Sequence, residues 1–479
     1  MVRPTMANSL SVQNPYSGKK IADLPFDSTE DISKKLSCAS EAFGVWKHST
    51  SFQRSELLNH VAQLMDDRRT EFEMLICHEA GKPIQFAKAE VSRALGVLRW
   101  AAGETQRFSG ELLRIDTTGT GRSGYGLHTR FPRGIILGIT PFNFPLNLTL
   151  HKVAPAIASG NVILIKPSPS APLSALKLAE LFLEVRPDVP GLVQVTLAED
   201  QATEKLTRAP EISMISFTGS ARVGSLVRRQ SPEKPMALEL GGNAWVVVME
   251  DASASDFPKI VKRITNGAYG YAGQSCISVQ NVAIAENHFR SFSKLLSEAT
   301  HQTAFGDPEN PEVISGPVIN AGSARRIEAE LARAPKNSHR VQSSLRSGSS
   351  ESPTLVPPSL VVFKDEISEI PAVPLIQEEI FGPVMTAARF QNIDGLISRI
   401  NSSRYGLQTG VFTQNWMAIE KLYQELQVGG LVVNDAPTSR YDHQPYGGVK
   451  ESGQGREGIR YAMEEMTESK FLALSSRIP

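Results

Sequence analysis

Gly134-Ile-Ile-Leu-Gly-Ile-Thr-Pro-Phe-Asn-Phe-Pro145 is an apolar run closed by Thr140-Pro141, with an amide side chain, Asn143, at its end. It reads as the first strand of a repeating series. Strands are expected over Gly134–Thr140, Val162–Pro167, Leu192–Leu197, Met214–Thr218 and Met236–Leu240, with helices Asn147–Ala158, Leu173–Val185, Gln201–Arg208 and Ala221–Arg229 between them. Strands alternating with helices of this length predict a parallel, doubly wound sheet. In such a sheet nucleotides bind at the carboxyl ends of the strands.

Upstream, residues 1–25 read as an extended arm with a turn at Asn14-Pro-Tyr-Ser-Gly18. Ser28-Thr-Glu-Asp31 resembles a capped helix start, and apolar spacing of three and four predicts helices over Ile32–Trp46, Phe52–His78 and Lys82–Phe108. Leu113–Arg133, with Gly119, Gly121, Gly124 and Gly126, reads as a hairpin. Downstream, a second β/α series runs from Trp245 to about Asn434, with strands over Ala244–Met249, Val282–Ala285, Leu360–Phe363 and Gly430–Val433. Ser338–Ser359 is rich in Ser and Pro and reads as an exposed loop. Lys470-Phe-Leu-Ala-Leu474 reads as a strand with nothing local to pair with, and an unpaired edge points to a second subunit.

Composition narrows the function classes. The 479 residues allow two or three domains, and 41% hydrophobic with 21% charged content suits a soluble globular protein. Lys plus Arg equals Asp plus Glu at 50 each, so no overall field points to nucleic acid or an anionic membrane as partner. Three cysteines make no disulfide framework and suit a reducing compartment. No apolar run reaches the length of a membrane span, and the polar N-terminus carries no signal-peptide core, so a cytoplasmic location is expected.

Cys38 and Cys77 lie inside the expected helices and read as packing residues. Cys276 differs. It sits in the turn Tyr271-Ala-Gly-Gln-Ser-Cys-Ile-Ser278 between a helical run and a strand, where a substrate can reach a thiol. An isolated cysteine is most often a small buried hydrophobe, so a catalytic role needs partners from other segments. Asn143 could donate to a developing oxyanion together with the Cys276 amide. Glu239, in Glu239-Leu-Gly-Gly242, could act as general base. Gln377-Glu-Glu-Ile-Phe-Gly-Pro383 places a carboxylate and an aromatic beside a turn, and Tyr446-Gly-Gly-Val-Lys-Glu-Ser-Gly453 is a glycine-rich loop.

With Pro141-Phe-Asn-Phe-Pro145, Lys166-Pro167, Phe217-Thr-Gly-Ser220, Glu239-Leu-Gly-Gly242, Gly273-Gln-Ser-Cys276, Glu378-Glu-Ile-Phe-Gly-Pro383 and Pro445-Tyr-Gly-Gly448 in this order, the chain resembles the aldehyde dehydrogenase superfamily over nearly its whole length. Any one motif is weak evidence; the ordered set is strong. The resemblance implies an α/β fold: a Rossmann-type parallel-sheet domain, a second α/β catalytic domain and a small β oligomerisation element. The expected division is 1–113 with 134–241 for the dinucleotide, 242–445 for catalysis, and 114–133 with 464–479 for association as a homodimer or homotetramer.

The resemblance also implies a chemistry. The Cys276 thiolate would attack an aldehyde to give a thiohemiacetal held by Asn143. Hydride loss to NAD or NADP would leave a thioester, and Glu239 would activate the water that releases the acid. Lys166 resembles an adenosine-ribose contact. Gly219 and Ser220 would face the pyrophosphate, with Thr140, Pro141, Phe142 and Gly241 along the cofactor. Glu379 would hold the nicotinamide ribose and Phe381 would pack beside it. No metal is expected.

Three departures stand out. Pro169 replaces a ribose-binding Glu found in many relatives, which makes NADP as plausible as NAD. Thr196-Leu-Ala-Glu-Asp200 lacks the glycines usual near the pyrophosphate. Val341-Gln-Ser-Ser-Leu-Arg346 replaces a glycine-bearing segment. The Cys276 and Arg440 stretches look most like those of members that oxidise small polar aldehydes such as lactaldehyde, succinate semialdehyde or phosphonoacetaldehyde. Arg440, Arg107 and His151 could form an anion clamp, with Ser275 and Ile277 beside the nucleophile. Two alternatives remain at this level: a CoA-acylating dehydrogenase, which the presence of Glu239 disfavours, and a catalytically silent binding or scaffold protein.

Overall fold

The structure, a computed structural model, describes residues 9–117, 124–348 and 352–475. Outside them lie the first eight residues of the expected arm, the hairpin tip with Gly119 and Gly121, residues 349–351 of the serine-rich stretch, and the C-terminal residues 476–479.

Local capping starts the helical layer. Ser28 Oγ accepts from the Asp31 N–H while the Asp31 carboxylate accepts from the Ser28 N–H, which fixes the first turn of Thr29–Trp46. The expected helix Phe52–His78 is two, Ser51–Asp67 and Arg69–Ala80, broken at Arg68 with φ −106° and ψ 21°. A one-residue break leaves the apolar spacing almost in phase, so periodicity does not register it. The second of these helices ends at Gly81 in the left-handed region, where a side chain would press on Pro317 at 2.6 Å. The long helix Ile84–Arg107 completes the layer.

Two sheets organise the rest. The first has the order Gly453–Gln454, Met236–Glu239, Ile212–Thr218, Ile135–Ile139, Val162–Lys166, Val193–Val195, parallel apart from its antiparallel edge Gly453–Gln454. Its strands bury both faces, and Ile459, Met463 and Met466 return from the C-terminal region to the same core. The second sheet has the order Ser338–Gln342, Ser359–Glu366, Val384–Phe390, Val279–Ala285, Ala244–Val248, Gln408–Phe412, Gly430–Val433. Separate apolar clusters flank its two faces. This is the α/β architecture expected from the sequence.

Several expectations need correction. Ser338–Gln342, expected in a loop, is an antiparallel edge strand on Ser359–Glu366. An edge strand pairs on one side only, so a polar sequence suffices. Val384–Phe390 and Gln408–Phe412 were not anticipated; strands buried on both faces show no alternation to detect. The C-terminal strand Thr467–Ser475 does have a partner in its own chain: it runs antiparallel along Gly124–Pro132, whose other edge carries Glu111–Arg114. This three-stranded sheet leaves Leu112, Tyr125, Phe131, Phe471, Leu472 and Leu474 exposed. Among the described residues no helix is long and apolar enough to cross a membrane.

Candidate active site

The carboxyl ends of the first sheet's strands and the segments that lead into Ala244–Val248, Val279–Ala285 and Val384–Phe390 of the second face a common cavity of about 1370 Å³, whose walls include Thr140–Phe144, Thr218–Ser220, Leu240–Gly241, Ser275–Ile277, Glu379 and Phe381. The nucleophile loop enters it under constraint. After the helix Phe257–Tyr269, Tyr271, Ala272 and Gly273 take φ values of 52°, 53° and 65° in succession. Such non-glycine conformations cost on the order of 1–3 kcal/mol each and persist only where neighbours impose them. Here Tyr271 Oη donates to Ala80 O at 3.0 Å, and Gln274 donates to Pro317 O while accepting from the Ile319 N–H. At Gly273 any side chain would run into the Gly382 backbone.

Cys276 follows this bend, partly exposed, with its sulfur 3.2 Å from Tyr446 Oη. Burial pushes its thiol up to about 12, and the hydrogen bond to Tyr446 works in the opposite direction. Asn143 Nδ2 donates to Gln274 O at 2.8 Å, so the amide is anchored to the loop that carries the nucleophile and keeps a second N–H for another acceptor. The turn bearing Asn143 is itself fixed. Glu90 Oε1 accepts from the N–H groups of Leu146 and Asn147 at 3.0 Å, and Glu90 also pairs with the buried Lys82, whose ammonium lies over the Phe144 ring.

Glu239 is placed differently. It ends the strand Met236–Glu239 fully within the protein, one residue before the lining residue Leu240, and it is not itself part of the cavity wall. Neither carboxylate oxygen has a hydrogen-bond partner among the described residues. A methyl at Gly447 would lie 2.9 Å from Glu239 Oε1, so the carboxylate sits against the Tyr446-Gly447 backbone. Burial raises its pKa well above the carboxylate range, and the Glu457 charge raises it further. For Glu457, burial acts upward, but Lys152 and Arg440 overcome it and hold the group down to about 2. Lys152 Nζ reaches Glu457 Oε1 at 3.1 Å, and Arg440 Nη2 reaches Glu457 Oε2 at 3.0 Å.

This arrangement fixes the sign of a pH dependence. Only the ionised Glu239 can accept a proton, and a raised pKa delays ionisation, so a step that uses it as base gains rate as pH rises. Glu457→Gln removes the negative charge that helps hold the proton on Glu239. The acid limb of the steady-state rate should therefore move to lower pH in that variant. A limb moved upward would contradict the coupling.

Most of the expected dinucleotide residues line the same cavity. Thr140, Pro141 and Phe142 follow the central strand, and Phe142 meets Phe381 edge-on with ring centroids 5.9 Å apart. Gly219 and Ser220 follow Ile212–Thr218, and Ser220 Oγ caps the helix Ala221–Gln230 by accepting from the Val223 N–H. Glu379 Oε1 accepts from the Gly242 N–H at 3.0 Å, and burial raises its pKa to about 7. A side chain at Gly241 would run into the Glu379 carboxylate. Lys166 ends the adjacent strand outside the cavity wall; it is largely buried, its ammonium makes no hydrogen bond or ion pair with another described residue, and Asp200 is the carboxylate whose charge reaches it. A helix N-terminus, an ammonium not hydrogen-bonded among the described residues and a glycine gap beside a carboxylate fit a dinucleotide. The glycine-free segment is tied down from the arm: Asp27 Oδ2 accepts from Thr196 Oγ1 and the Leu197 N–H.

The expected anion clamp does not assemble. Ser275, Ile277 and Arg440 line the cavity, but Arg107 and His151 do not. Arg107 occupies the last turn of its helix and bonds back to Glu104 at 2.8 Å, three residues earlier, in solvent. His151 is fully buried with Nε2 3.0 Å from Asp442 Oδ1, and burial lowers its pKa. It braces the loop that carries Arg440. Arg440 itself is 6% exposed and already paired with Glu457. Breaking a buried pair costs about 3–5 kcal/mol, so Glu457 holds Arg440 in place, while its Nε has no hydrogen-bond partner among the described residues.

Sequence reasoning did not single out Tyr446, Glu457 or Lys152. Tyr446 was visible only as part of a glycine-rich motif, and the other two carry no local signal.

A family model described as Aldehyde dehydrogenase family matches residues 2–472. The chain belongs to the aldehyde dehydrogenase family. Among the family members it resembles is a 3-sulfolactaldehyde dehydrogenase from Priestia aryabhattai, 35% identical over 98% of this chain and 96% of the relative. Aldehyde dehydrogenase 21 from Physcomitrella patens, solved with the reaction product succinate, superposes with a TM-score of 0.92 at 30% identity, over 99% of this chain and 96% of that one. Glyceraldehyde-3-phosphate dehydrogenase GapN from Methanocaldococcus jannaschii, solved with NADP, superposes with a TM-score of 0.89 at 32% identity, over 98% of this chain and 99% of that one. The family assignment carries with it NAD(P)-dependent aldehyde oxidation as the activity.

Proposed function

We propose that this aldehyde dehydrogenase converts a small polar aldehyde to the free carboxylic acid through a thioester on Cys276, with Glu239 as the base for hydrolysis. The observation that carries the reading is a single cavity lined by Cys276 and Asn143 together with Gly219, Ser220 and Glu379. The Cys276 sulfur bonds to the aldehyde carbon, and the free N–H of Asn143 with the Cys276 amide holds the resulting oxyanion. NAD or NADP, when bound, would supply the hydride acceptor. Glu239 then takes a proton from the attacking water; turning this side chain toward Cys276 breaks no hydrogen bond, because it makes none. Lys166, Ser220 and Glu379 would hold the dinucleotide.

The named relatives act on a sulfonated aldehyde, release succinate, or take a phosphorylated aldehyde. Those names favour short substrates with an anionic or strongly polar tail. At the cavity mouth Lys262 is exposed on the helix Phe257–Tyr269, and a cation there favours approach of such a substrate. The apolar surface of the three-stranded sheet supports association as a homodimer or homotetramer. Free cysteines, one of them the nucleophile, suit a cytoplasmic location.

A panel of short aldehydes with neutral, hydroxylated, carboxylated, sulfonated and phosphonated tails, each assayed with NAD and NADP in the presence and absence of CoA, tests this. Reduced dinucleotide and free acid should form in equal amounts, independent of CoA, with the polar tails preferred. Acyl-CoA as the product would overturn the hydrolytic step. Silence across the whole panel, despite thermal stabilisation by a dinucleotide, would overturn the substrate class.

A further inference from the structure

Tyr446 presents its hydroxyl to the Cys276 sulfur at 3.2 Å, and among the described residues each group is the other's hydrogen-bond partner. The ring is held firmly. It is 3% exposed and packs with Ile277 and Leu407. Its backbone exchanges two hydrogen bonds with Glu457, Tyr446 N–H to Glu457 O at 3.0 Å and Glu457 N–H to Tyr446 O at 2.7 Å. Arg440 stacks on the ring face at 3.7 Å and is fixed there by Glu457. Among the described residues no other side-chain donor bonds the sulfur, and the bonded N–H of Asn143 goes to Gln274 O.

We propose that the Tyr446 hydroxyl is a catalytic hydrogen-bond donor that holds the Cys276 sulfur and stabilises its thiolate; this rests on Cys276 being the nucleophile. While the thiol is protonated, either atom can donate. Once the S–H bond breaks, its proton passes to ionised Glu239 or to water and the electron pair stays on sulfur. From then on only the phenol can donate. Tyr446 keeps its own proton throughout, because burial holds its pKa well above the ordinary phenol value. The cation over the ring withdraws electron density and strengthens the O–H as a donor. When sulfur bonds to the aldehyde carbon, the negative charge moves to oxygen and this hydrogen bond loses its charged acceptor. Its effect therefore falls on thiolate formation, not on aldehyde binding.

The test compares alkylation of Cys276 by iodoacetamide in the parent enzyme and in Tyr446→Phe, with the modified residue identified by mass. Loss of a hydrogen bond to a charged acceptor lowers the thiolate population about ten- to a hundredfold. The remaining thiolate is more nucleophilic, which offsets roughly half of this on a logarithmic scale. Alkylation in Tyr446→Phe should thus be roughly three- to tenfold slower at every pH from neutral to mildly alkaline, and the burst of reduced dinucleotide should slow in parallel. The KM for aldehyde and the thermal stabilisation by dinucleotide should hold. Difluorotyrosine placed at position 446 keeps the size but donates more strongly, and should speed alkylation. Equal rates in parent and Tyr446→Phe, with Cys276 as the labelled residue, overturn the proposal. Label on some other residue in the parent overturns the nucleophile assignment, and the proposal with it.

Discussion

Cys276→Ala is expected to abolish aldehyde oxidation, with kcat reduced on the order of 10⁴-fold or more, because the covalent route has no second entry. The other cysteines do not substitute for it. Cys77 is fully buried, and Cys38 lies on the helix Thr29–Trp46, away from the cavity. Dinucleotide binding should survive, because the residues of the cradle come from other segments. A calorimetric titration of the variant with NAD and NADP, beside a turnover assay, checks both halves. Retained turnover would show that another group attacks the aldehyde.

The second large effect is expected for Glu239→Gln. Acylation does not need the carboxylate as a water-activating base, so one equivalent of reduced dinucleotide per site should appear in a burst. Steady turnover should then fall roughly 10²- to 10⁴-fold, the usual contribution of a positioned general base. The substitution is nearly isosteric, and neither carboxylate oxygen is hydrogen-bonded to a described residue, so the local fold should tolerate it. An unchanged steady rate would remove Glu239 from the deacylation step.

How much of this was legible in the sequence depends on the range of the interaction. The strands Ile135–Ile139 and Val162–Lys166 and the helices Asn147–Ala158 and Leu173–Val185 fall where the apolar patterns place them, because the first three bury nearly contiguous runs and the last buries one face at helical spacing. The bend at Tyr271–Gly273 was readable as a turn, though not as three successive left-handed residues, since Gly382, Ala80 and Pro317 impose that shape from elsewhere. Pairing between distant segments was the weakest reading. Thr467–Ser475 finds its partner at Gly124–Pro132, more than three hundred residues earlier, and nothing in either strand names the other.

The site shows the same division. Residues in ordered motifs, such as Asn143, Gly219, Glu379 and Cys276, line one cavity. The charged residues chosen for their chemistry alone fared worse. Arg107 turned back onto Glu104, and His151 was taken up by Asp442. A guanidinium or imidazole pairs with whichever carboxylate the fold brings near, and the sequence does not state which that is. Tyr446 shows the converse: its importance comes from a sulfur atom 170 positions away along the chain.

The central claim is that substrate carbon becomes bonded to the Cys276 sulfur before water releases the acid. The most direct measurement is an acid quench of Glu239→Gln during the burst, with aldehyde and dinucleotide present, followed by mass analysis of the peptide that contains Cys276. The account predicts that this peptide gains the mass of the substrate's acyl group in proportion to the burst. A burst of reduced dinucleotide that leaves the Cys276 peptide unmodified, or places the acyl group on another residue, would contradict it.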